Sequence, residues 1–278
     1  MTKPMVVLIG VMFAVSGAAY ADELAAVEVV PAAHVPEGYT LAWADEFDGA
    51  PGPPDPAKWT FQWLGKMHGI GRLNGDAASV DGKGHLKLRA WLDADGVRQT
   101  ARVSSYKKFS QLHGYFVARI RHQKPEGMHS GFWLTSPTYG KVEDDLKASG
   151  AEVDIVEYFG ECGWKGSIIH CLHWNAHGSE KKEKRALRWM KKYKKDFAPW
   201  EGFHEYAVEW NPEGYRFFVD GLQTWEVKEG VSERDLYVVF SLLCSEFEKD
   251  RLRPEATSGE MFVDWVRVYN KSKPVDSK

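Results

Sequence analysis

The sequence predicts an all-β protein, a β-sandwich or jelly roll built from two antiparallel sheets. Three observations carry that expectation: strand-like runs recur along the chain, turn signals separate them, and neither a long amphipathic helix nor a second βαβ pattern interrupts them. In order, the runs are Gly84–Ala90, Gly114–Ile120, Glu205–Trp210, Tyr215–Val219, Tyr237–Leu243 and Met261–Tyr269. Each is rich in β-branched and aromatic residues, whose side chains suit a pleated surface. The punctuation is Asp81-Gly82, Asp95-Gly96, Asn211-Pro212-Glu213-Gly214 and Asp220-Gly221, residues that accept the backbone angles of tight turns. Residues 210–225 therefore read as two hairpin turns around one strand. Pro51–Pro56 reads as a rigid surface loop, and Lys271–Lys278 as a polar tail that frays.

The first 21 residues read as a secretory signal peptide. Lys3 supplies the positive start, Val6–Val15 the apolar core, and Ala19-Tyr20-Ala21 a small-x-small cleavage site before Asp22. That core is too short for a membrane span. The expectation is a secreted or periplasmic protein whose residues 22–278 form a single domain, monomeric and with no membrane partner. Three cysteines, Cys162, Cys171 and Cys244, allow one pair and leave one spare in an exported protein. Their spacing carries no zinc signature. Twelve tryptophans are enough both to fill a core and to leave aromatic faces for stacking. A net charge of −3 selects no class of partner.

The most informative stretch is Glu152-Val153-Asp154-Ile155-Val156-Glu157. Val153 and Ile155 alternate with Glu152 and Asp154, so a strand here has one apolar and one acidic face. Such carboxylates lose hydration and repel one another, a cost that points to use. An acid-x-acid-x-x-acid pattern alone arises by chance in about every second chain of this length; its setting between strand residues makes it informative. Strict alternation sends Glu157 to the opposite face. A β-bulge near Ile155-Val156 returns it beside the other two, so that all three acids line one cleft. The outer pair then suits glycoside hydrolysis with retention, which needs carboxyl groups about 5–5.5 Å apart. The middle acid splits their protonation, keeping one group neutral while another stays ionised.

One segment breaks the rhythm. Residues 181–195 carry nine Lys or Arg, with Trp189 and Tyr193 interleaved. It reads either as a cationic wall against an anionic polymer, with aromatics to stack, or as a solvated loop or short helix. Nucleic acid is not the expected partner of an exported protein with an acidic cleft.

Several motifs, in order, resemble one family. They are Trp43-Ala44-Asp45-Glu46-Phe47-Asp48-Gly49 with Trp59, Asp81-Gly82 through Ala90, Gly114–Arg121 leading to Gly131-Phe132-Trp133-Leu134, Gly150–Gly160, His204–Trp210 before Phe218–Gly221, and Val263–Tyr269. Across nearly all of residues 22–278 the chain resembles a glycoside hydrolase of family 16, the jelly-roll group of laminarinases, agarases and carrageenases. The resemblance implies an open substrate cleft, with Glu152 as nucleophile, Asp154 as its helper and Glu157 as acid/base. The inserted Val156 matches the bulged subgroup. His173, in Leu172-His173-Trp174, resembles the family's histidine on the next strand, and Trp133 the aromatic at the base of the cleft. Trp210 is a further candidate to line it. No cofactor is implied for catalysis, but a structural calcium is, with Glu46 and Asp264 as candidate oxygen ligands.

Two stretches depart from the family pattern. Asp144–Gly150 lacks a Trp-Pro pair, and Phe240–Ser245 lacks an Asn- and Gly-rich run. The linkage therefore stays open between β-1,3 and β-1,4, and the polymer between glucan and galactan, sulfated or not. The expected activity is endo-acting, retaining hydrolysis of such a polysaccharide. The alternatives are a transglycosylase and a carbohydrate-binding jelly roll without chemistry.

Overall fold

The computed structural model describes residues 34–161, 167–176, 178, 182–244 and 258–271. The leader read at residues 1–21, Cys162 and Lys181 lie outside them. Sixteen strands are described. The first eight are β1 (Tyr39–Asp45), β2 (Met67–His68), β3 (Gly71–Leu73), β4 (Ala78–Val80), β5 (Leu86–Leu92), β6 (Arg98–Ser104), β7 (Gly114–Arg121) and β8 (His129–Thr135). The others are β9 (Ala151–Tyr158), β10 (Ile168–Trp174), β11 (Lys182–Arg188), β12 (His204–Asn211), β13 (Gly214–Val219), β14 (Leu222–Val227), β15 (Tyr237–Leu243) and β16 (Ser258–Lys271). One short helix, α1 (Leu146–Ser149), leads into β9.

The strands form a nearly closed antiparallel jelly roll. One layer runs β11-β10-β9-β8-β15-β6, the other β5-β16-β7-β12-β13-β14, and the β5–β6 pairing joins them. Period-two alternation explains the two layers. Val153, Ile155, Phe132, Leu134, Val238 and Phe240 turn inward to meet Phe116, Val208, Phe217 and Val266. The rings of Phe132 and Phe240 stack at 5.0 Å, each burial worth about 1.5–3 kcal/mol.

Trp210 belongs to this core and not to the cleft, contrary to the sequence expectation. It is fully buried, edge-on to His113 at 4.9 Å and stacked with Tyr215 at 6.1 Å. Alternation decides the matter: Tyr206, Val208 and Trp210 share the inward face of β12.

The basic run is neither a wall nor a loop but strand β11 followed by a 3-10 turn, Met190–Lys192. Pairing along the whole of β10, from Ile168↔Arg188 to Trp174↔Lys182, draws it into the sheet. A strand sends alternate residues to opposite faces, so its charges are divided. Glu183 and Arg185 face the concave side, whereas Lys184 pairs with Glu229 and Arg188 donates to the Thr224 carbonyl. Trp189 and Tyr193 remain exposed.

The hairpin between β13 and β14 turns on Asp220-Gly221, with φ of 48° and 79°, the two left-handed residues of a type I′ turn. Asp220 also ties three segments together. Its carboxylate accepts from the Glu205 backbone N–H at 2.9 Å and from Lys194 Nζ at 2.6 Å, and lies 2.8 Å from His204 Nδ1. Lys194 of the basic run thus serves the fold. Among the described residues, no helix is long and apolar enough to cross a membrane.

Partial burial alone would raise the Asp220 carboxyl; His204 and Lys194 override it and hold the group well below the ordinary carboxylate range. A depressed folded-state value contributes stability that is complete above the unfolded value of 3.8 and is lost as pH falls toward the folded one. Asp220→Asn is expected to cost roughly 1.5–3 kcal/mol at neutral pH. Denaturant melts of both proteins across the acidic range should show that gap closing below about pH 4. A gap that stays constant through this range would rule out the ionised carboxylate as its source.

Candidate active site

The acidic run is strand β9, entered and left through glycines. Gly150 has φ of 71°, and a Cβ there would lie 2.6 Å from the Ser136 Cβ. Gly160 has φ of 94°, and a Cβ would lie 2.5 Å from the Pro125 carbonyl oxygen. Between them β9 carries the expected bulge. Against β8 the pairs are Phe132↔Val156 and Trp133↔Asp154; against β10 they are Ile169↔Glu157 and Cys171↔Asp154. Ile155, and not Val156 as the sequence suggested, is thus the extra residue, and Ile155 and Val156 both enter the core. With two consecutive residues turned inward, Glu157 returns to the face of Glu152 and Asp154. All three line one cleft of about 1050 Å³.

A bulge leaves a backbone group without its ladder partner. Here the Ile155 carbonyl accepts from His170 Nδ1 at 2.6 Å, and His170 Nε2 meets Thr224 Oγ1 of β14 at 2.8 Å. His170 is fully buried, and burial drives its pKa down to about 4, so the ring is neutral near pH 7. A neutral imidazole with its proton on Nδ1 donates to the carbonyl, while the single proton of the Thr224 hydroxyl is shared between Nε2 and the Phe217 carbonyl, 3.1 Å away. The bulge is therefore clamped to the opposite sheet.

Each acid has its own surroundings. Asp154 is buried between two carboxylates; desolvation, then the charges of Glu157 and Glu152, raise its pKa well above the usual range. Desolvation pushes Glu157 the same way, but the His129 ring, with Nε2 2.8 Å from Oε1, outweighs it and holds Glu157 low. The resting proton of the pair accordingly resides on Asp154. His173 Nε2 lies 3.4 Å from Asp154 Oδ2, and its Nδ1 3.4 Å from Glu183 Oε2.

Trp133 faces the cleft, its indole N–H donating to Ser241 Oγ at 3.0 Å. The Arg102 guanidinium lies 4.7 Å from the Trp133 ring and 4.3 Å from that of Trp63. This places a largely buried cation between two aromatic faces. Trp63, half exposed, offers its other surface to solvent.

The residues proposed for calcium do not fit it. Arg267 grips Glu46 with a two-pronged contact, Nε and Nη2 each at 2.8 Å. Asp264 receives Arg119 Nη1 at 2.5 Å and has His85 Nε2 at 3.8 Å. A guanidinium already pairs with each of these carboxylates and repels a divalent ion.

The sequence reading missed His129, His170, Arg102 and Arg185. His129 was within reach, because it lies four residues before Trp133 on one strand and so shares its face. The other three depend on which strands become neighbours.

Three carboxylates in an aromatic-lined cleft on the concave face of a jelly roll define a glycoside hydrolase. A profile of glycosyl hydrolases family 16 matches residues 72–267, and the chain belongs to that family. Among its relatives, a β-glucanase of Rhodothermus marinus is 26% identical, with 83% of this chain and 85% of that protein covered. The clotting factor G alpha subunit of Tachypleus tridentatus is 25% identical over 87% of this chain, which spans only 36% of that subunit. Among solved structures, the laminarinase of Rhodothermus marinus superposes with a TM-score of 0.69 at 23% identity, over 84% of this chain and 98% of that one. The laminarinase catalytic domain of Thermotoga maritima gives 0.69 at 20% identity, over 85% of this chain and 100% of that one.

His170→Ala should leave the Ile155 carbonyl without a partner in the core and destabilise the fold by about 1–3 kcal/mol. Thermal melts check the stability, and polysaccharide hydrolysis at a temperature where the variant is folded checks the site. Native stability together with native turnover would mean that the bulge holds itself.

Proposed function

We propose that this chain is an endo-acting, retaining β-glycosidase that cuts internal β-1,3 or β-1,4 bonds of a glucan. The observation that carries the reading is the bulge in β9, which gathers Glu152, Asp154 and Glu157 in one cleft. An open cleft accepts a polymer in mid-chain. The relatives, among them a β-glucanase of Rhodothermus marinus and two endo-1,3-1,4-β-glycanases of Rhizobium meliloti, support glucan over galactan. Among the described residues of the basic run only Glu183 and Arg185 line the cleft, so the run offers little to a sulfated polymer. Export through residues 1–21 accords with a substrate too large to enter a cell.

In the first step the ionised Glu152 attacks the anomeric carbon as the glycosidic C–O bond breaks. Glu157 supplies the proton to the leaving oxygen. In the resting site that proton sits on Asp154, because flanking charge raises Asp154 while His129 lowers Glu157. A bound sugar over Glu157 removes water from it and disfavours its charge, so the Asp154 proton passes across and arms it. In the second step Glu157 takes a proton from water, whose oxygen displaces Glu152. The bulged form of the acidic run favours this hydrolytic outcome over transfer to a second sugar. Trp63 and Trp133 provide ring faces for the bound glycan.

Glu152→Gln and Glu157→Gln should each lower product release by at least about a thousandfold on whichever of laminarin, mixed-linkage glucan, agarose, porphyran or carrageenan the native protein cuts. Near-native rates in either variant would eliminate the mechanism. The glucans are the expected substrates, and cleavage confined to the sulfated galactans would overturn that choice. The fresh product should carry the β-anomer by proton NMR. An initial α-anomer would mean inversion, and transfer products with added oligosaccharide acceptor would mean transglycosylation.

A further inference from the structure

Cys171 takes no part in the reaction above, yet its sulfur lies beside the central carboxylate. It is a buried free thiol on the cleft-facing side of β10. Its Cα partners are Asp154 on one neighbouring strand and Arg185 on the other. His173 stands two residues further along β10 and shares that side. We propose that Asp154, Cys171 and His173 form a binding site for a zinc-class divalent cation, and that occupancy of the site switches the enzyme off.

The geometry supports this in four ways. First, one ligand atom from each residue lies within 4.8 Å of the others, with Cys171 Sγ 3.1 Å from His173 Nε2 and His173 Nε2 3.4 Å from Asp154 Oδ2. A tetrahedral zinc with ordinary bond lengths sets neighbouring ligand atoms about 3.3–3.6 Å apart, so little movement is required.

Second, the three side chains come from adjacent paired strands, which hold the set in place. Third, His173 has its remaining nitrogen, Nδ1, 3.4 Å from the Glu183 carboxylate, an ion-pair separation that a small shift converts to a hydrogen bond. A carboxylate behind a ligating histidine fixes its tautomer and raises its basicity, the usual outer support of a bound zinc. Fourth, the set combines sulfur, imidazole and a single carboxylate, which selects the zinc class over magnesium or calcium.

Arg185, the cross-strand neighbour of Cys171 and paired with Glu183 at 2.8 Å, opposes the cation by its charge, and burial beside Asp154 and Glu157 holds the thiol protonated, so the cation has to displace that proton. Glu152 and Glu157 in the same cleft offset the guanidinium charge. Asp154 and His173 also line the cleft, so a fourth position is open to water. Binding exchanges one cation for the protons of Asp154 and Cys171, which leave to solvent.

The switching clause rests on the hydrolytic reading. A cation held by Asp154 in the cleft lies beside Glu152 and Glu157 and draws their carboxylates toward itself and away from a substrate, so hydrolysis should stop while the ion is bound and resume when a chelator removes it.

The test is a titration of the metal-free protein with cobalt(II), then zinc(II), followed by absorption and calorimetry. One cobalt per chain is expected, with a thiolate-to-metal charge-transfer band that zinc displaces. Cys171→Ser should stay folded by circular dichroism and lack the band, whereas Glu183→Gln should bind about 10–100-fold more weakly. In parallel, zinc should inhibit hydrolysis by the native protein reversibly and leave Cys171→Ser uninhibited. No band in the native protein, or an undiminished band in Cys171→Ser, would overturn the site. Equal inhibition of both proteins would overturn the switch. A band without hydrolysis in any form would retain the metal site and remove the hydrolytic reading; hydrolysis without a band would do the opposite.

Discussion

A strand shows its side chains to alternate faces, and three acids spaced as Glu152, Asp154 and Glu157 cannot share a face under that rule. The site exists because Ile155 is inserted, so that Ile155 and Val156 both point into the core and the phase of the strand shifts by one. The insertion has two costs, an unpaired carbonyl and two neighbouring side chains to bury. His170 meets the first with a hydrogen bond held from the opposite sheet by Thr224. The sandwich core meets the second. The arrangement of the cleft therefore depends on contacts made on the far side of the sheet that forms its floor.

Electrostatics then divides the labour among three chemically similar groups. Asp154, flanked by two carboxylates and shielded from water, retains a proton; Glu157, beside His129, gives its proton up. The difference comes from burial and from what flanks each group, two carboxylates beside Asp154 and the His129 ring of β8 beside Glu157. The positive groups of the cleft show a related economy. Arg102 lies between Trp63 and Trp133, and Arg185 lies against Glu183, so each is compensated by an aromatic face or a carboxylate.

Elsewhere the same residue types serve structure. Glu46 and Asp264 look like cation ligands in a sequence, but Arg267 and Arg119 meet them in space. Trp210, an aromatic near a conspicuous motif, fills the core. The lysines and arginines of β11 and the turn after it are split between sheet faces and hairpin, with Lys194 securing Asp220. A charge run has no direction until its secondary structure is known, and a strand divides what a helix or loop could have gathered.

The sequence by itself determined the all-β class, the β12–β13–β14 hairpins and the acidic strand with its bulge. These follow from short-range patterns, alternation and turn chemistry, that are complete within a dozen residues. Motif order carried the family as well. Tertiary structure alone decided which side chains surround the acids. His170, Arg102 and Cys171 come from β10 and β6 and meet β9 only through strand pairing or across the cleft. Cysteine spacing showed no metal motif for the same reason: Asp154 reaches Cys171 and His173 across a ladder, between strands linked by a connection whose length sets no register. Long-range register is fixed by how two whole sheets close over their core, and no local stretch of sequence contains that information.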